Sequence, residues 1–548
     1  MSFTTRPDIR GSFGTVASTH WIASAVGMGI LEKGGNAFDA AVATALTLQV
    51  VEPHLNGPGG DLPAIVHLAS GETRVLCAQG VAPKGATLDH YRQHFGDGLI
   101  PGSGLLATVV PGAFDGWMLM LRDHGSMELA EVLAPTISYA RDGHPVLPRV
   151  SNTIAGIADF FRQEWPTSAA TWLRGGEAPA PWSMFKNPDL AATWQRIVDE
   201  AEGETREARI DVARRIWSQG FVADAICDYL KDACVMDVSG RAHSAVLSRQ
   251  DLAEWQAHWE QPLTVDYHGW TVYKSDSWAQ APVLLQALQI LKNFDLSAMD
   301  PLGADFTHTV IEAMKLAFVD AHRYVTDPEH MTVASEALLD SGYLRERAAL
   351  IDMDRAQDFG HGQPPGSGTV YLSSADADGN MVSLIQSNYM GFGSGIVVPD
   401  TGIALQNRGA GFSLEEGHAN RVAPGKRPFH TIIPGFLTRA GRPELSFGVM
   451  GGPMQPQGHL QVVLRMKLWG QNAQAASDAP RWQVQEGLKV VLEDSVSKEV
   501  LTGLAARGHE LGRADQGAFG GAQLVQLLDN GYYLAASDHR KDGQAVGW

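Results

Sequence analysis

Residues 369–384 read Thr-Val-Tyr-Leu-Ser-Ser-Ala-Asp-Ala-Asp-Gly-Asn-Met-Val-Ser-Leu, and the interpretation of the whole chain starts from them. Two runs rich in strand-forming residues, 369–375 and 381–387, flank the turn residues Asp378 and Gly379. An Asp-Gly pair between two such runs is a strong signal for a β-hairpin. The stretch therefore predicts two antiparallel strands joined by a short loop.

A two-residue loop at 378–379 sets the register of this hairpin. Ala377 then faces Asn380, and counting outward along both strands brings Thr369 opposite Asn388. Ser387 lies next to that pair. A second hydroxyl is therefore expected beside the side chain of Thr369.

The hairpin follows a segment of different composition. Gly360 to Gly368 reads Gly-His-Gly-Gln-Pro-Pro-Gly-Ser-Gly, which has no hydrophobic periodicity and the composition of a flexible linker. We therefore divide the chain into 1–368 and 369–548, with the boundary directly before Thr369.

Thr369 becomes chemically interesting if the peptide bond between Gly368 and Thr369 is cut. Cleavage would give Thr369 a free α-amine with a pKa of roughly 7.7 to 8, so one residue would supply both a nucleophile and its general base. The alternative is an ordinary threonine in a β-strand, since threonine is a good strand former.

The part before this boundary has mainly helical patterns with some strands. Residues 36–51 are small or apolar almost without charge, which predicts a helix buried on most sides that Pro53 ends. Apolar residues at three- and four-residue steps predict an amphipathic helix over 306–324, and 282–293 predicts another with Pro near its first turn.

Composition limits the classes of function. The chain of 548 residues carries 42 Lys plus Arg against 61 Asp plus Glu, a net charge of −19 that disfavours nucleic acid as a partner. Its three cysteines, Cys77, Cys227 and Cys234, include no C-x-x-C pair and favour a reducing compartment. We find neither a signal peptide nor a membrane span, and we expect a cytoplasmic protein.

Familiar cofactor and nucleophile motifs do not occur. The sequence has no G-x-x-x-x-G-K-[ST], no H-E-x-x-H and no G-x-S-x-G. Gly391, Gly393 and Gly395 imitate a dinucleotide fingerprint, but the residues that follow, 396–398, predict a strand rather than a helix N-terminus. We expect no metal ion and no organic cofactor.

Motifs spread along nearly the whole chain resemble the γ-glutamyltransferase family, whose members are N-terminal-nucleophile hydrolases. They are Gly34-Gly35-Asn36-Ala37-Phe38-Asp39-Ala40-Ala41-Val42-Ala43, Glu52-Pro53-His54 with Gly57, Gly59 and Gly60, Ala82-Pro83, the helix with Glu312, Ala313, Lys315, Ala317, Asp320, Tyr324, Asp327 and Pro328, the run 369–412, Lys426-Arg427-Pro428, and Gly451-Gly452.

The resemblance implies a fold and a processing event. The fold would be an α/β, four-layer αββα sandwich. Autocatalytic cleavage before Thr369 would give a heterodimer of 1–368 and 369–548 that remains one structural unit and can assemble further. The resemblance also assigns Ser387 to a hydrogen bond with the nucleophile.

The same resemblance assigns the backbone amides of Gly451 and Gly452 to an oxyanion hole. Paired N–H groups at a glycine turn can point at a developing negative oxygen without obstruction by side chains. The alternative for this pair is a tight turn with no chemical role.

Several donor-binding positions of the family are changed in this sequence. An arginine, an asparagine and an aspartate of the γ-glutamyl-specific relatives align with Gln79, Tyr389 and Gly411, and a pair of serines aligns with His430 and Thr431. Loss of two charge-assisted contacts, at roughly 1.5 to 3 kcal/mol each, removes roughly 3 to 6 kcal/mol of recognition for a glutamyl zwitterion. Tyr389 is expected to make the pocket more apolar.

Two polar residues near these positions have open roles. Arg408 can meet a carboxylate, because its planar fork suits that partner, or it can be a solvated surface arginine. His430 can orient a substrate or satisfy a buried hydrogen bond.

The sequence thus predicts an autoprocessed N-terminal-threonine amidohydrolase or acyltransferase. It resembles the cephalosporin-acylase-like and oxamate-amidohydrolase-like branch of the family, and its donor is expected to be a small-molecule amide other than a γ-glutamyl zwitterion. Two alternatives stay open. One is a genuine γ-glutamyltransferase or glutathione hydrolase, and the other is an unprocessed relative without catalysis.

Overall fold

Two seven-stranded sheets lie face to face in the computed structural model, which describes residues 4–359 and 368–548. Every pairing within these two sheets is antiparallel. Of the predicted linker, 360–367 lie outside the described residues, while Gly368 is the first residue of a strand.

Sheet I contains the predicted hairpin at its centre, with a strand from the N-terminal part of the chain on either side. Its strands, in spatial order, are β23 (Gln544–Gly547), β2 (Gly14–Ser18), β12 (Gly368–Asp376), β13 (Met381–Tyr389), β3 (Leu62–His67), β4 (Thr73–Ala78) and β9 (His258–Glu260).

Sheet II is built in the same mixed way from both parts of the chain. Its strands, in spatial order, are β1 (Ile9–Gly11), β22 (Tyr533–Ser537), β21 (Gly521–Leu527), β17 (Arg442–Met450), β16 (Gly435–Arg439), β11 (Trp270–Lys274) and β10 (Leu263–Tyr267). The division into 1–368 and 369–548 stays a prediction.

The remaining strands form small sheets at the periphery. They are β5 (His144–Pro145) with β6 (Met184–Phe185), β7 (Val235–Met236) with β8 (Ala242–His243), β14 (Val397–Val398) with β15 (Ile403–Ala404), and β18 (Trp482–Val484) with β19 (Lys489–Leu492) and β20 (Glu510–Arg513). The strand β14 follows the glycine cluster 391–395, as expected.

Helices cover the outer faces of both sheets. Those packed with sheet I and its surroundings are α1 (Trp21–Glu32), α2 (Ala37–Val51), α3 (Leu88–Phe95), α4 (Ala113–His124), α5 (Leu129–Asp142), α6 (Pro148–Glu164), α7 (Pro166–Trp172), α8 (Pro188–Glu200), α9 (Arg206–Gln219), α10 (Phe221–Asp232) and α11 (Arg249–Glu254).

The other helices belong to the side of sheet II. They are α12 (Ala281–Leu291), α13 (Ala304–Tyr324), α14 (Ser335–Leu338), α15 (Ser341–Ala348), α16 (Met454–Leu468), α17 (Ala473–Asp478) and α18 (Lys498–Ala506). Helix, sheet, sheet and helix therefore form four layers, which confirms the predicted fold class. The three helices predicted over 36–51, 282–293 and 306–324 correspond to α2, α12 and α13.

Helix α2 is buried along its whole length, as its lack of charge predicts. Asn36 caps it by accepting the amides of Phe38 and Asp39, and the Asp39 carboxylate accepts the Asn36 amide in return. The same carboxylate accepts both the amide and the hydroxyl of Ser126. These bonds attach the start of α2 to the segment after α4.

A line of buried hydroxyls crosses the space between the two sheets. The Tyr371 hydroxyl on β12 lies 2.7 Å from Ser383 Oγ on β13, and Ser373 Oγ lies 2.8 Å from Ser446 Oγ on β17. The ring of Tyr371 fills the space above Gly448, where a Cβ atom would lie 2.2 Å from the ring. Gly448 thus sets how closely the sheets approach.

No helix in the described part of the chain is long and apolar enough to cross a membrane.

We expect Gly448→Ala to lower the free energy of unfolding by about 1–3 kcal/mol, because the new methyl group overlaps a buried aromatic ring held between two sheets. Thermal unfolding followed by circular dichroism would measure the change.

The matched control is Gly29→Ala in α1, where a Cβ atom meets nothing within 4 Å. This control should be neutral or raise stability by about 0.5–1 kcal/mol through helix propensity. Equal stability of the two variants would contradict the packing described between the sheets.

Candidate active site

The hairpin places Thr369 inside the molecule, close to Ser387. Its register differs from the prediction by one residue over 370–375 and agrees with it again at Gly368. Ala375 pairs with Met381, and the pairing continues to Val370 opposite Gln386. The loop therefore has three residues, 377–379, and the prediction of a two-residue loop is wrong.

The reason lies in the third loop residue. Gly379 has φ +94°, the left-handed conformation that closes a three-residue hairpin loop. Near the other end the register shifts by one between Gly368 and Val370, so Gly368 pairs with Tyr389. Thr369 lies at this irregularity and is fully buried.

Three oxygen atoms form a short chain at the predicted cleavage site. Thr369 Oγ1 lies 3.5 Å from Ser387 Oγ, and the Ser387 hydroxyl donates to the carbonyl oxygen of Gly368 at 2.5 Å. Ser387 Oγ also accepts the amide of Tyr389 at 2.7 Å. The expected proximity of the two hydroxyls is confirmed, and Ser387 also contacts the carbonyl of the predicted cleavage site.

Tyr389 combines a strained backbone with a buried ring. Its φ is +79°, which is rare for an aromatic residue and costs on the order of 1–3 kcal/mol. The Arg408 guanidinium carbon lies 4.4 Å from the ring centroid. Burial raises the pKa of the Tyr389 hydroxyl, and the charge of Arg408 opposes that rise.

Arg408 is fully buried, so its interpretation as a solvated residue is wrong. Its partner is the carboxylate of Asp61, with Nε to Oδ2 at 2.7 Å and Nη2 to Oδ1 at 3.0 Å. Burial acts to raise the pKa of Asp61, but the charge of Arg408 and the contact with His430 lower it below its ordinary value. Arg408 therefore does meet a carboxylate, and that carboxylate belongs to the protein.

His430 approaches the same carboxylate from a second side. Its Nε2 lies 3.1 Å from Asp61 Oδ2 and its Nδ1 lies 2.5 Å from the carbonyl oxygen of Pro428. Burial and the charge of Arg408 lower the pKa of His430, whereas the two acceptor oxygens favour a second ring proton. Both ring nitrogens are engaged within the protein.

Asp61 is the residue that our sequence argument missed. It follows the glycine pair 59–60, and its backbone exchanges two hydrogen bonds with Ser387, at 2.9 and 3.0 Å. Its carboxylate binds Arg408, whose Nη1 donates to Thr431 Oγ1 at 3.2 Å. The sequence signal that could have identified Asp61 is its position directly after the glycine pair 59–60, where the backbone packs closely.

Asn388 is a second missed candidate. Its carboxamide lies against Gly57 and Gly60, where Cβ atoms would approach it to 3.0 and 2.6 Å. Neither polar atom of this buried side chain has a hydrogen-bond partner within 4–359 and 368–548. A buried carboxamide without partners, next to Ser387, is available to a ligand.

Gln79 and Gly411 are the two remaining positions at which the sequence departs from the γ-glutamyl-specific pattern. The buried Gln79 side chain accepts the Cys77 thiol proton at 2.7 Å, and its Nε2 has no partner in the described part of the chain. A Cβ atom at Gly411 would lie 3.6 Å from the Tyr389 hydroxyl, which is ordinary contact. Position 411 therefore accepts a Cβ atom beside Tyr389 without a clash.

The predicted oxyanion turn lies between β17 and α16. Gly451 and Gly452 have φ of +128° and +57°, and their carbonyls accept the amides of Met454 and Gln455 at 3.1 Å each. Because N–H and C=O point in opposite directions across a trans peptide, the amide of Gly452 points away from α16. The positive end of that helix adds to the local potential.

Gln280 connects this turn with the rest of the site. Its Nε2 donates to the carbonyl of Gly452 at 2.8 Å and to the carbonyl of Thr431. Bonds thus run without a break from Thr369 through Ser387, Asp61, Arg408, Thr431 and Gln280 to Gly452.

Among the residues that the structure describes, two groups of side chains have the composition of a metal site. In the buried group, His308 Nδ1 lies 2.8 Å from His509 Nε2, and Lys315 already binds Glu312 at 2.8 Å. The second group is Cys77, His258 and Glu260, with Arg427 donating to Glu260. A cation beside each carboxylate opposes metal binding.

The geometry defines a class of protein. A four-layer sandwich with a threonine at the first residues of a central strand is typical of N-terminal-nucleophile hydrolases. Comparison with known proteins then specifies the family, since the sequence profile described as gamma-glutamyltranspeptidase matches residues 23–548. The chain belongs to the gamma-glutamyltranspeptidase family and is an enzyme of the N-terminal-nucleophile hydrolase type.

Individual relatives match over almost their entire length. The glutathione hydrolase-like YwrD proenzyme of Bacillus subtilis is 34% identical over 97% of this chain and 98% of its own. The oxamate amidohydrolase proenzyme of Klebsiella pneumoniae is 34% identical, with 98% of each chain covered. The crystal structure of cephalosporin acylase from Bacillus halodurans superposes with a TM-score of 0.91 at 38% identity, covering 100% of this chain and 98% of that one.

We expect Asp61→Asn to lower the free energy of unfolding by about 3–5 kcal/mol, because the isosteric amide leaves the buried charge of Arg408 uncompensated. A carboxylate with a lowered pKa stabilises the fold above its unfolded pKa and loses that effect as pH falls through the folded value. The difference between variant and wild type should therefore be full at pH 7 and shrink below about pH 4.

Urea unfolding followed by tryptophan fluorescence at both pH values would measure this difference in the free energy of unfolding. The control is Asp494→Asn, since Asp494 forms an ion pair with Arg513 but its side chain is 96% exposed. This control should match the wild type. A stable Asp61→Asn protein at pH 7 would contradict the structural importance of the Asp61–Arg408 pair.

Proposed function

We propose that this protein cuts itself between Gly368 and Thr369 and then hydrolyses a small-molecule amide with Thr369 as the nucleophile. The observation that carries the proposal is the hydroxyl chain at the cleavage site, in which Ser387 donates to the Gly368 carbonyl and lies within reach of Thr369 Oγ1. The proenzyme names of the relatives support the same conclusion.

Self-cleavage follows from this arrangement. Thr369 Oγ1 attacks the carbonyl carbon of Gly368, and the hydrogen bond from Ser387 stabilises the negative charge that develops on the carbonyl oxygen. The C–N bond breaks, the hydroxyl proton passes to the departing Thr369 nitrogen, and an ester remains. Water hydrolyses that ester to the Gly368 carboxylate and restores the Thr369 hydroxyl.

Cleavage leaves two chains, 1–368 and 369–548, which we propose remain together as a heterodimer. In sheet I, β12 pairs with β2 of the first part, and β13 pairs with β3. In sheet II, β16 pairs with β11. Backbone ladders across both sheets would have to break before the two chains could separate.

The catalytic cycle uses the new amine. With a pKa of roughly 7.7 to 8, the α-amine of Thr369 takes the hydroxyl proton as Oγ1 attacks the donor amide, and it then protonates the leaving nitrogen. The amides of Gly451 and Gly452 are proposed to bind the oxyanion. Water releases the acyl group, and an amine in its place would make the same step an acyl transfer.

The donor is proposed to carry no α-ammonium group. Arg408 is already paired with Asp61 through two hydrogen bonds, so its charge is matched before any substrate carboxylate arrives. Gly411 offers no carboxylate to a substrate amine, and the Tyr389 ring takes up space beside it. A small or apolar acyl group fits these surroundings better than a glutamyl zwitterion.

The names of two matched proteins agree with this choice. One is an oxamate amidohydrolase and the other a cephalosporin acylase, and neither name refers to a γ-glutamyl donor. We propose amide hydrolysis for this chain as well, and the restriction to donors without an α-amine rests on the residues around Tyr389 and Gly411.

Thr369→Ala should remain a single full-length chain, because the attacking oxygen is gone. Thr369→Ser keeps that oxygen and should still cleave. Ser387→Ala should slow cleavage by about 10²- to 10³-fold, since it removes a donor from the developing oxyanion. Denaturing electrophoresis and mass spectrometry over time would show the products.

The expected fragments are residues 1–368 and 369–548. Cleavage of Thr369→Ala at the same bond would refute Thr369 as the nucleophile. A wild-type protein that stays intact and inactive would favour a non-catalytic relative.

Donor choice can be tested with p-nitroanilides. The cleaved enzyme should hydrolyse a glutaryl anilide, which lacks the α-amine, with higher kcat/KM than the γ-glutamyl anilide. Gly411→Asp should shift the ratio toward the γ-glutamyl donor by about 10- to 100-fold, because it adds one charge-assisted contact.

Gly411→Asn is the matched control, with the same shape and no charge, and it should leave the ratio nearly unchanged. A wild-type preference for the γ-glutamyl anilide would overturn the proposed donor class and favour a genuine γ-glutamyltransferase.

A further inference from the structure

Strands β16 and β17 separate at the point where they enter the site. Their last regular pair on this side is Gly435 with Phe447. Continuing that register would pair Ile433 with Val449, but Ile433 donates its amide to Gln455 Oε1 at 2.9 Å instead. The two strands therefore divide into two branches.

The two branches carry different parts of the candidate site. One contains His430 and Thr431, which contact Asp61 and Arg408. The other leads from Val449 to the turn at 451–452. The width of this split, together with the bonds of Gln280 to Thr431 and Gly452, sets how far the two parts lie from each other.

Two buried side chains fill the split with hydrogen bonds. The Val449 amide donates to His459 Nε2 at 2.8 Å, and His459 Nδ1 lies 2.6 Å from Lys274 Nζ. Lys274 Nζ in turn lies 2.8 Å from the Pro434 carbonyl and 3.5 Å from that of Ile433. Both side chains are fully buried.

The hydrogen bonds from Val449 through His459 to Lys274 determine which atoms carry protons, and thereby the charge of Lys274. Because His459 Nε2 accepts the Val449 amide, the ring proton of a neutral His459 must be on Nδ1, which then donates to Lys274 Nζ. An amine that accepts a hydrogen bond must have a free lone pair, so Lys274 is uncharged. Its two remaining protons point to the carbonyls of Pro434 and Ile433.

The surroundings agree with an uncharged pair. Burial lowers the pKa of Lys274 well below its ordinary value. Burial also lowers the pKa of His459 well below its ordinary value, and the charge of Arg481 acts in the same direction. No carboxylate is bonded to this amine within 4–359 and 368–548.

We infer that Lys274 and His459 are positioning residues for the amide-cleaving site: the uncharged Lys274 amine and the His459 ring form a hydrogen-bonded spacer that fixes the His430–Thr431 branch against the Gly451–Gly452 turn. The inference rests on the proposed function, because the distance between the His430–Thr431 branch and the Gly451–Gly452 turn matters for catalysis only if this site cleaves amides. Neither residue is assigned contact with the substrate.

Three substitutions at Lys274 separate an uncharged spacer from a charged one. Lys274→Gln can accept from His459 through its oxygen and donate to Pro434 through its nitrogen. Lys274→Arg has five donors and no acceptor, and Lys274→Met has neither. We expect Gln to keep kcat within a few-fold of the wild type and Arg and Met to lower kcat by about 10- to 100-fold through misplacement.

The measurements are self-cleavage over time and then kcat and KM on the cleaved protein with the glutaryl anilide. The loss should fall on kcat rather than KM, because the spacer acts on geometry around the reacting carbonyl. The exposed Lys498→Arg is the matched control and should behave as wild type. Wild-type activity of Lys274→Arg, or no loss in any variant, would overturn the inference.

A second pair of variants, at His459, tests the inference independently if the Lys274 variants do not fold. His459→Gln can still accept the Val449 amide and donate to Lys274, whereas His459→Leu can do neither. We expect activity in the first and loss in the second, and the reverse would overturn the inference.

An absence of enzymatic activity in the wild-type protein can be distinguished from a failure of the spacer inference. If the wild-type chain neither cleaves itself nor hydrolyses amides, the spacer is judged by thermal unfolding alone, where Lys274→Gln should melt above Lys274→Arg. An arginine variant that melts higher would show a charged lysine and overturn the inference even then.

Discussion

The buried carboxylate of Asp61 constrains the site more than any other group. A carboxylate removed from water needs opposite charge and hydrogen bonds, or it costs several kcal/mol. Arg408 supplies the opposite charge through two hydrogen bonds, and His430 contacts Asp61 Oδ2, which is also one of the two oxygens bound by Arg408. Since the Asp61 backbone is also bonded to Ser387, the position of one side chain joins three distant segments of the chain at the predicted nucleophile.

This pairing has a consequence for specificity. An arginine in a site of this family is easily taken for a carboxylate receptor, but here its charge is already matched inside the protein. In the proposed function, the groups left for a donor are the ring of Tyr389, the position at Gly411 and the buried carboxamide of Asn388, whose polar atoms have no partner in the described part of the chain. These groups suit a small polar or apolar acyl group.

Local sequence predicted the elements well and their ends less well. The charge-free run of α2, the amphipathic pattern of α13 and the two strands of the hairpin were all recognisable. The hairpin register was wrong by one residue, since Asp-Gly fits a two-residue loop as readily as the end of a three-residue one. The irregularity at Thr369 then shifts the pairing by one residue, so that Gly368 lies opposite Tyr389, which is the pair that the predicted register also gives. Nothing in the local pattern indicates the irregularity itself.

The sequence by itself determined several helices and the hairpin strands through local periodicity, and it determined the family through short motifs. The resemblance to that family then implied the layer architecture and the threonine on which the chemistry is proposed to depend. Only the tertiary structure decided which charges and hydrogen bonds meet in the site. Asp61 and Arg408 are 347 residues apart, and Lys274 and His459 are 185 apart. Such pairs form only when two sheets fold against each other, since no local preference of the chain relates one partner to the other.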